Sequence, residues 1–199
     1  MSTKRDTRSE ILKLTRELVQ SRGFNSFSYQ DLASGLGIRK ASVHYHFPSK
    51  DDLGVALLEA YQVMMHEWVN SPRVCNASPE LKLDCLFAVQ LDIARSGNKI
   101  CPIGILSSEW NILSDGIRTK LMELMAMREA WFVKLIHEGR EAGVFTADRD
   151  PTELARLVFA SIQGAIQIAR VRREPALFEA VARQLKLHLL KKPEAVQAA

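Results

Sequence analysis

With 199 residues, 47% of them hydrophobic and 25% charged, the chain has enough apolar side chains to bury a core and is not disordered by default. Its net charge of +4 is unevenly placed: residues 1–50 carry nine Lys or Arg against four acids, a net of +5, which leaves −1 for the rest. That asymmetry is expected when only the N-terminal part meets phosphate. A polar N-terminus and the lack of an apolar run near the roughly 18 residues of a membrane span exclude a secretory or membrane class and predict a cytoplasmic protein. Cys75, Cys85 and Cys101 are an odd number without CxxC spacing, which speaks against a disulfide framework and a structural zinc site.

In chain order, the first legible element is a helix over Tyr29–Leu36, with the Ser28 hydroxyl as its cap and Leu32 and Leu36 on one face. Gly37 ends it where positive φ costs a glycine nothing, and Ile38 anchors the turn. A second helix over about Lys40 to Phe47 buries Val43 and Phe47, four apart. Its other residues carry donors and positive charge. In a helix-turn-helix the second helix lies in the major groove, with N-terminal residues at base edges and flanking ones on phosphates. Arg39, Lys40, Ser42 and His44 are therefore expected at the base edge, and Tyr45, His46 and Lys50 on phosphates, with Ser28 also counted among the DNA-binding residues. Pro48 stops the helix, and Ser49 caps the next one, which opens with Asp51 and Asp52 as the helix dipole prefers.

The remainder reads as helical throughout. One long helix, Ser49 to about Asn70, leads away from the helix-turn-helix, and a breaker cluster from Ser71 to Pro79 marks a loop. Helices follow over about Pro79–Ser96, from Ser114 to about Ala142, from Pro151 to about Arg172 and from Pro175 to about Leu190, with a second loop over Ile100–Ile105. On the last two, stripes that include Leu157, Ser161, Ala165, Phe178 and Leu185 hold more apolar surface than one contact needs, which predicts a homodimer interface. Trp68, Phe87, Trp110, Met122, Met125, Trp131 and Phe132 are wide or adaptable side chains that line an apolar pocket or form plain core. Cys101, beside Lys99 in a short connection, is either a small buried side chain or a thiolate open to electrophiles. The scattered histidines support no metal site, and no cofactor is implied.

Thr7-Arg8, Ile11-Leu12, Arg22-Gly23-Phe24 and the run Tyr45-His46-Phe47-Pro48-Ser49-Lys50 stand in an order and spacing that resembles the tetracycline-repressor-type (TetR/AcrR) family over roughly the first quarter of the chain. Two positions depart from that pattern: His44 stands where an aromatic phosphate contact is common, and Ala41 where a glycine often opens the reading helix. The resemblance implies an all-α fold, with a three-helix DNA-binding domain (residues 1–50) joined by a long helix to a bundle (51–192) for effector binding and dimerisation, and a tail (193–199). It also implies double-stranded operator DNA and a second copy of the chain as partners, a small-molecule effector whose cavity lies near Cys101, and a repressor's function. A DNA-binding regulator controlled by a protein partner instead of a ligand is the alternative. An enzyme is disfavoured, since neither a nucleophile elbow nor a dinucleotide fingerprint is present.

Overall fold

The computed structural model describes residues 6–191, so the Lys4-Arg5 arm and the 193–199 tail lie outside it. Ten α-helices form among the described residues: α1 (Thr7–Arg22), α2 (Tyr29–Leu36), α3 (Lys40–His46), α4 (Lys50–Asn70), α5 (Pro72–Cys75), α6 (Pro79–Arg95), α7 (Pro102–Ser108), α8 (Asp115–Glu141), α9 (Pro151–Arg172) and α10 (Pro175–Leu189). The fold is all-α, as expected. Its only extended pairing among these residues is an isolated bridge between Phe145 and Leu190.

Local chemistry sets most helix ends. Asp6 caps α1 by accepting from the Ser9 N–H, Ser78 caps α6 by accepting from Leu81, and Asp150 caps α9 by accepting from both Thr152 and Glu153. Proline occupies the first turn of α5, α6, α7, α9 and α10, where its missing N–H would have had no partner anyway. Two of these starts correct the sequence reading. Pro72 opens a one-turn helix inside the expected 71–79 loop, and Pro102 opens α7 within the expected 100–105 loop. In both places a proline that reads as a breaker acts as a helix start.

The chain divides into two compact units. One runs to Glu67 and resumes over Asn98–Met125; the other holds Trp68–Gly97 and everything from Ala126 on. Most of α4, all of α7 and the start of α8 thus fall in one unit with the helix-turn-helix, whereas the sequence reading divides the chain at residue 50. The first unit's core includes Ile11, Val19, Leu32, Val43, Leu53, Leu58, Leu106, Ile117 and Leu121, all essentially inaccessible. Gly54 is what lets α4 sit so close: a Cβ there would lie 2.5 Å from Ile117 Cδ1 and 2.8 Å from Phe24 Cζ.

In the second unit α9 packs against α10 and α6 around Leu83, Phe132, Ile136, Val158, Ile162, Ile166 and Phe178. Two ion pairs fasten the outside: Lys186 Nζ reaches both Asp84 oxygens at 2.7 Å, and Lys82 Nζ meets Glu138 Oε2 at 2.6 Å. By length and composition α9 also meets the threshold for a membrane span, which the sequence reading did not register. Seven of its 22 residues form a buried stripe inside this unit, as in a core helix.

Candidate nucleic-acid interface

The interface is built from the back of α2 outward. Ser28 and Asp31 form a capping box: Asp31 N–H donates to Ser28 Oγ, while the Ser28 N–H and hydroxyl both donate to Asp31 Oδ2 at 2.7 Å. Those bonds hold the Asp31 carboxyl below its usual range. Ser28 therefore already serves as a cap, whatever it does toward DNA. Gly37 takes the left-handed conformation (φ 66°, ψ 32°), and Ile38 N–H closes the turn on Ala33 O at 3.0 Å.

Tyr29 fixes the far end of α3, a role that sequence reasoning missed. Its hydroxyl meets Phe47 O at 2.8 Å and Ser49 O at 2.5 Å, so the first residue of α2 holds the exit of the reading helix. Burial, followed by the negative charges of Asp52 and Asp51, pushes its phenol up to about 12. No periodicity signals this bond, because its acceptors are backbone carbonyls 18 and 20 residues away. Arg8 adds to the same end, its guanidinium lying 5.2 Å from the centre of the Phe47 ring.

With α3 held from behind by Val43 and Phe47, its outward residues are Arg39, Lys40, Ala41, His44 and Tyr45. Arg39 and Lys40 are exposed, and among the described residues neither is in an ion pair. Tyr45 is 83% exposed, which for an apolar ring with a polar tip is a position waiting for a partner. Ser42 is half-buried. His44 packs on the Tyr29 ring at 4.6 Å, with Nδ1 3.4 Å from Pro48 O, and His46 leans edge-on to Tyr45 at 5.2 Å.

Lys50 is the residue whose surroundings differ most from the phosphate-contact expectation. Its ammonium donates to Phe27 O at 2.5 Å and lies over the Phe27 and Phe24 rings at 4.6 and 5.2 Å. Desolvation lowers its pKa against the opposing charges of Glu109 and Asp31. Here Lys50 braces the unit's interior, because a long stem this close to two rings gains more from them than from water.

Two family models cover this architecture: one for bacterial regulatory proteins of the tetR family matches residues 11–57, and one for a tetracyclin repressor-like C-terminal domain matches residues 81–185. The chain belongs to the TetR family. It is accordingly a DNA-binding transcriptional regulator and not an enzyme. The HTH-type transcriptional repressor DhaR of Mycobacterium sp. (strain GP1) is 28% identical over 167 residues, covering 83% of each chain. The HTH-type transcriptional repressor NemR of Escherichia coli (strain K12) is 25% identical, covering 86% of this chain and 87% of that one. Among solved structures, a TetR-family transcriptional regulator from Agrobacterium tumefaciens superposes with a TM-score of 0.87 at 27% identity, covering 93% of this chain and 98% of the other.

In this family frame, the residues expected at an effector pocket fall in both units. Trp68, Phe87, Trp131 and Phe132 belong to the second, where Trp131 meets Trp68 edge-on at 5.3 Å and Phe132 at 5.4 Å. Phe87 is buried on α6, and one turn later Gln90 is buried too, its Oε1 without a hydrogen-bond partner among the described residues. Cys101, Trp110, Met122 and Met125 belong to the first unit. Cys101 is 2% exposed at the start of α7. Trp110, Met122 and Met125 reach the surface, Trp110 beneath the Arg118 guanidinium at 5.6 Å.

The residues expected at a dimer interface also separate. Ala165, Phe178 and Leu185 are buried in the unit's own core, because the face of α9 and α10 that carries them is the one on which the two helices and α6 meet. Leu157 is 43% exposed and Ser161 half-buried. They continue into Gly164, Ile168 and Val171, a seam at heptad-like spacing that no element among the described residues covers at Ile168 and Val171.

Proposed function

We propose that the protein is a cytoplasmic repressor that grips a palindromic operator as a homodimer, one α3 per half-site, and leaves it when a small-molecule effector occupies the helical domain. The observation that carries this reading is the outward row Arg39, Lys40 and Tyr45 on a helix fastened from behind by Tyr29. Donors at the helix start, Arg39 and Lys40, suit base edges, and the flanking Tyr45 phenol suits phosphates.

Pairing is supported by two observations. A single α3 offers too few contacts for tight specific binding. The seam from Leu157 to Val171 and a neighbouring groove of about 1170 Å³, walled by apolar Phe145, Leu157, Val181 and Leu187 and rimmed by charged Asp148 and Arg149, form a partly apolar surface of the kind that a second copy covers. Repression follows the names of the relatives DhaR and NemR. An effector is supported by Gln90, whose buried amide oxygen without a donor beside Phe87 is a polar group that a ligand would satisfy. Release then needs a differential affinity of only about 1–3 kcal/mol between the two conformations.

The test is selection of bound duplexes from a random pool by the purified protein at physiological salt, with sequencing of the enriched pool. A two-fold symmetric motif with half-sites about one helical turn apart is expected. An unenriched pool, or an asymmetric single half-site, would contradict the dimeric reader.

A further inference from the structure

A groove of about 270 Å³ runs between α1 and α4, and six of its lining residues matter here: Leu12, Lys13 and Arg16 from α1, and Leu57, Tyr61 and Met64 from α4. All belong to the first unit. Its polar groups are unfinished in a consistent way. The Arg16 guanidinium donates from Nη1 to the Met64 thioether at 3.2 Å, a weak acceptor, and no carboxylate among the described residues pairs with it. Lys13, three residues earlier on the same helix, is exposed and likewise without an ion pair among the described residues.

Tyr61 completes the set. Its hydroxyl is enclosed and has no hydrogen-bond partner among the described residues, a condition native proteins seldom leave in place. Burial raises the phenol pKa far above its ordinary value, against the opposing pull of Arg16, so the group stays protonated and keeps a proton to donate to an acceptor. Around these donors the walls are apolar: Leu57 is 2% exposed, and Leu12 and the Met64 thioether border the same space. Two unpaired cations and one orphaned donor beside an apolar wall call for an anionic head on an apolar tail. The volume, below the roughly 300 Å³ at which drug-sized pockets begin, calls for a small one.

We propose that the α1–α4 groove binds a small amphiphilic carboxylate, its head group taken by Arg16, Lys13 and the Tyr61 hydroxyl and its alkyl chain laid along Leu12 and Leu57. The site shares no residue with the aromatic cluster of the second unit. It can be tested without DNA, so its failure and the failure of the operator reading are separate events.

The experiment is calorimetric titration of the full chain with hexanoate, with hexan-1-ol and inorganic phosphate as controls for the tail and the charge. Saturable binding of one hexanoate per chain is expected, with either control weaker by about tenfold or more, since hydrogen bonds to charged groups are the strong ones. Arg16→Met should weaken hexanoate by about tenfold or more and Tyr61→Phe by several-fold. Tyr61→Phe should leave thermal stability unchanged or higher, because it deletes a hydroxyl that has no partner in the free protein. The proposal is overturned by the absence of saturable hexanoate binding, by binding that Arg16→Met and Tyr61→Phe leave intact, or by phosphate binding as well as hexanoate, which would make the groove a bare anion site.

Discussion

Replacing Tyr29 by Phe keeps the buried ring and removes only the hydroxyl that joins the start of α2 to the exit of α3. Ser49 O still accepts from Leu53 N–H at 3.2 Å, whereas Phe47 O loses the 2.8 Å partner that Tyr29 supplies. A net hydrogen bond is worth about 0.5–1.5 kcal/mol and a stranded carbonyl costs about 1–3, so the variant should lose about 1–2 kcal/mol at neutral pH. The pH dependence carries the sharper signature. With the phenol raised from 10.0 to about 12, the native state holds this proton over a range where the unfolded chain has released it. The contribution is therefore fully present below pH 10 and is lost as pH rises toward 12. Urea unfolding followed by circular dichroism, for both proteins at neutral pH and in steps from pH 10 to 12, measures the gap directly. Tyr61 is common to both and cancels. Equal stabilities at neutral pH, or a gap that stays constant through pH 12, would refute the assigned role.

Other substitutions test other parts. Gly54→Ala should destabilise by a net of about 1–2 kcal/mol, overpacking against Ile117 and Phe24 costing about 2–3 kcal/mol against the gain of about 1 kcal/mol that alanine brings to a helix; a variant as stable as the parent in urea would show the α4 contact to be looser. Arg39→Ala should cost the selected operator about 1–3 kcal/mol in a binding titration and scarcely change affinity for random DNA, and equal losses on both would move Arg39 from bases to phosphates. At Gly164 an added Cβ meets nothing within 4 Å, so Gly164→Ala should stabilise α9 by up to about 1 kcal/mol, while Gly164→Trp should leave the fold intact and yield a monomer by light scattering. A Gly164→Trp protein that remains dimeric would place the interface elsewhere.

Legibility followed how local each cause is. The capping box at Ser28, the left-handed Gly37, the caps at Ser78 and Asp150 and the prolines after them act within a few residues, so the helix-turn-helix and nearly every helix were readable from spacing alone. Proline misled where its two uses diverge: Pro72 and Pro102 start helices, and in sequence each resembles a stop. Face assignments are hardest where two apolar faces compete. Phe178 and Ala165 read as surplus surface because periodicity gives the direction of a stripe and not which neighbour fills it. Tyr29, Glu109 and the true surroundings of Lys50 were invisible, since each depends on a partner more than 15 residues away.

Glu109 ties the segment that follows α7 to the first unit. Its Oε2 accepts from Phe24 N–H at 3.0 Å and from Asn25 Nδ2 at 3.4 Å, and a Cβ on Gly23 would collide with its Oε1, so the glycine of the Arg22-Gly23-Phe24 run makes room for a carboxylate from beyond α7. At the other end of the same segment Ile100 N–H donates to Gln20 O at 2.9 Å. Residues 100–109 are thus tied at both ends to α1 and the turn that follows it, and the Glu109 charge also favours the Lys50 ammonium lodged over Phe24 and Phe27. A hydrogen bond to a charged group contributes about 1.5–3 kcal/mol and a backbone bond about 1. Together they match or exceed the 1–3 kcal/mol that allosteric coupling typically involves. Displacing this segment without the end of α1 therefore breaks bonds worth the whole of such a coupling.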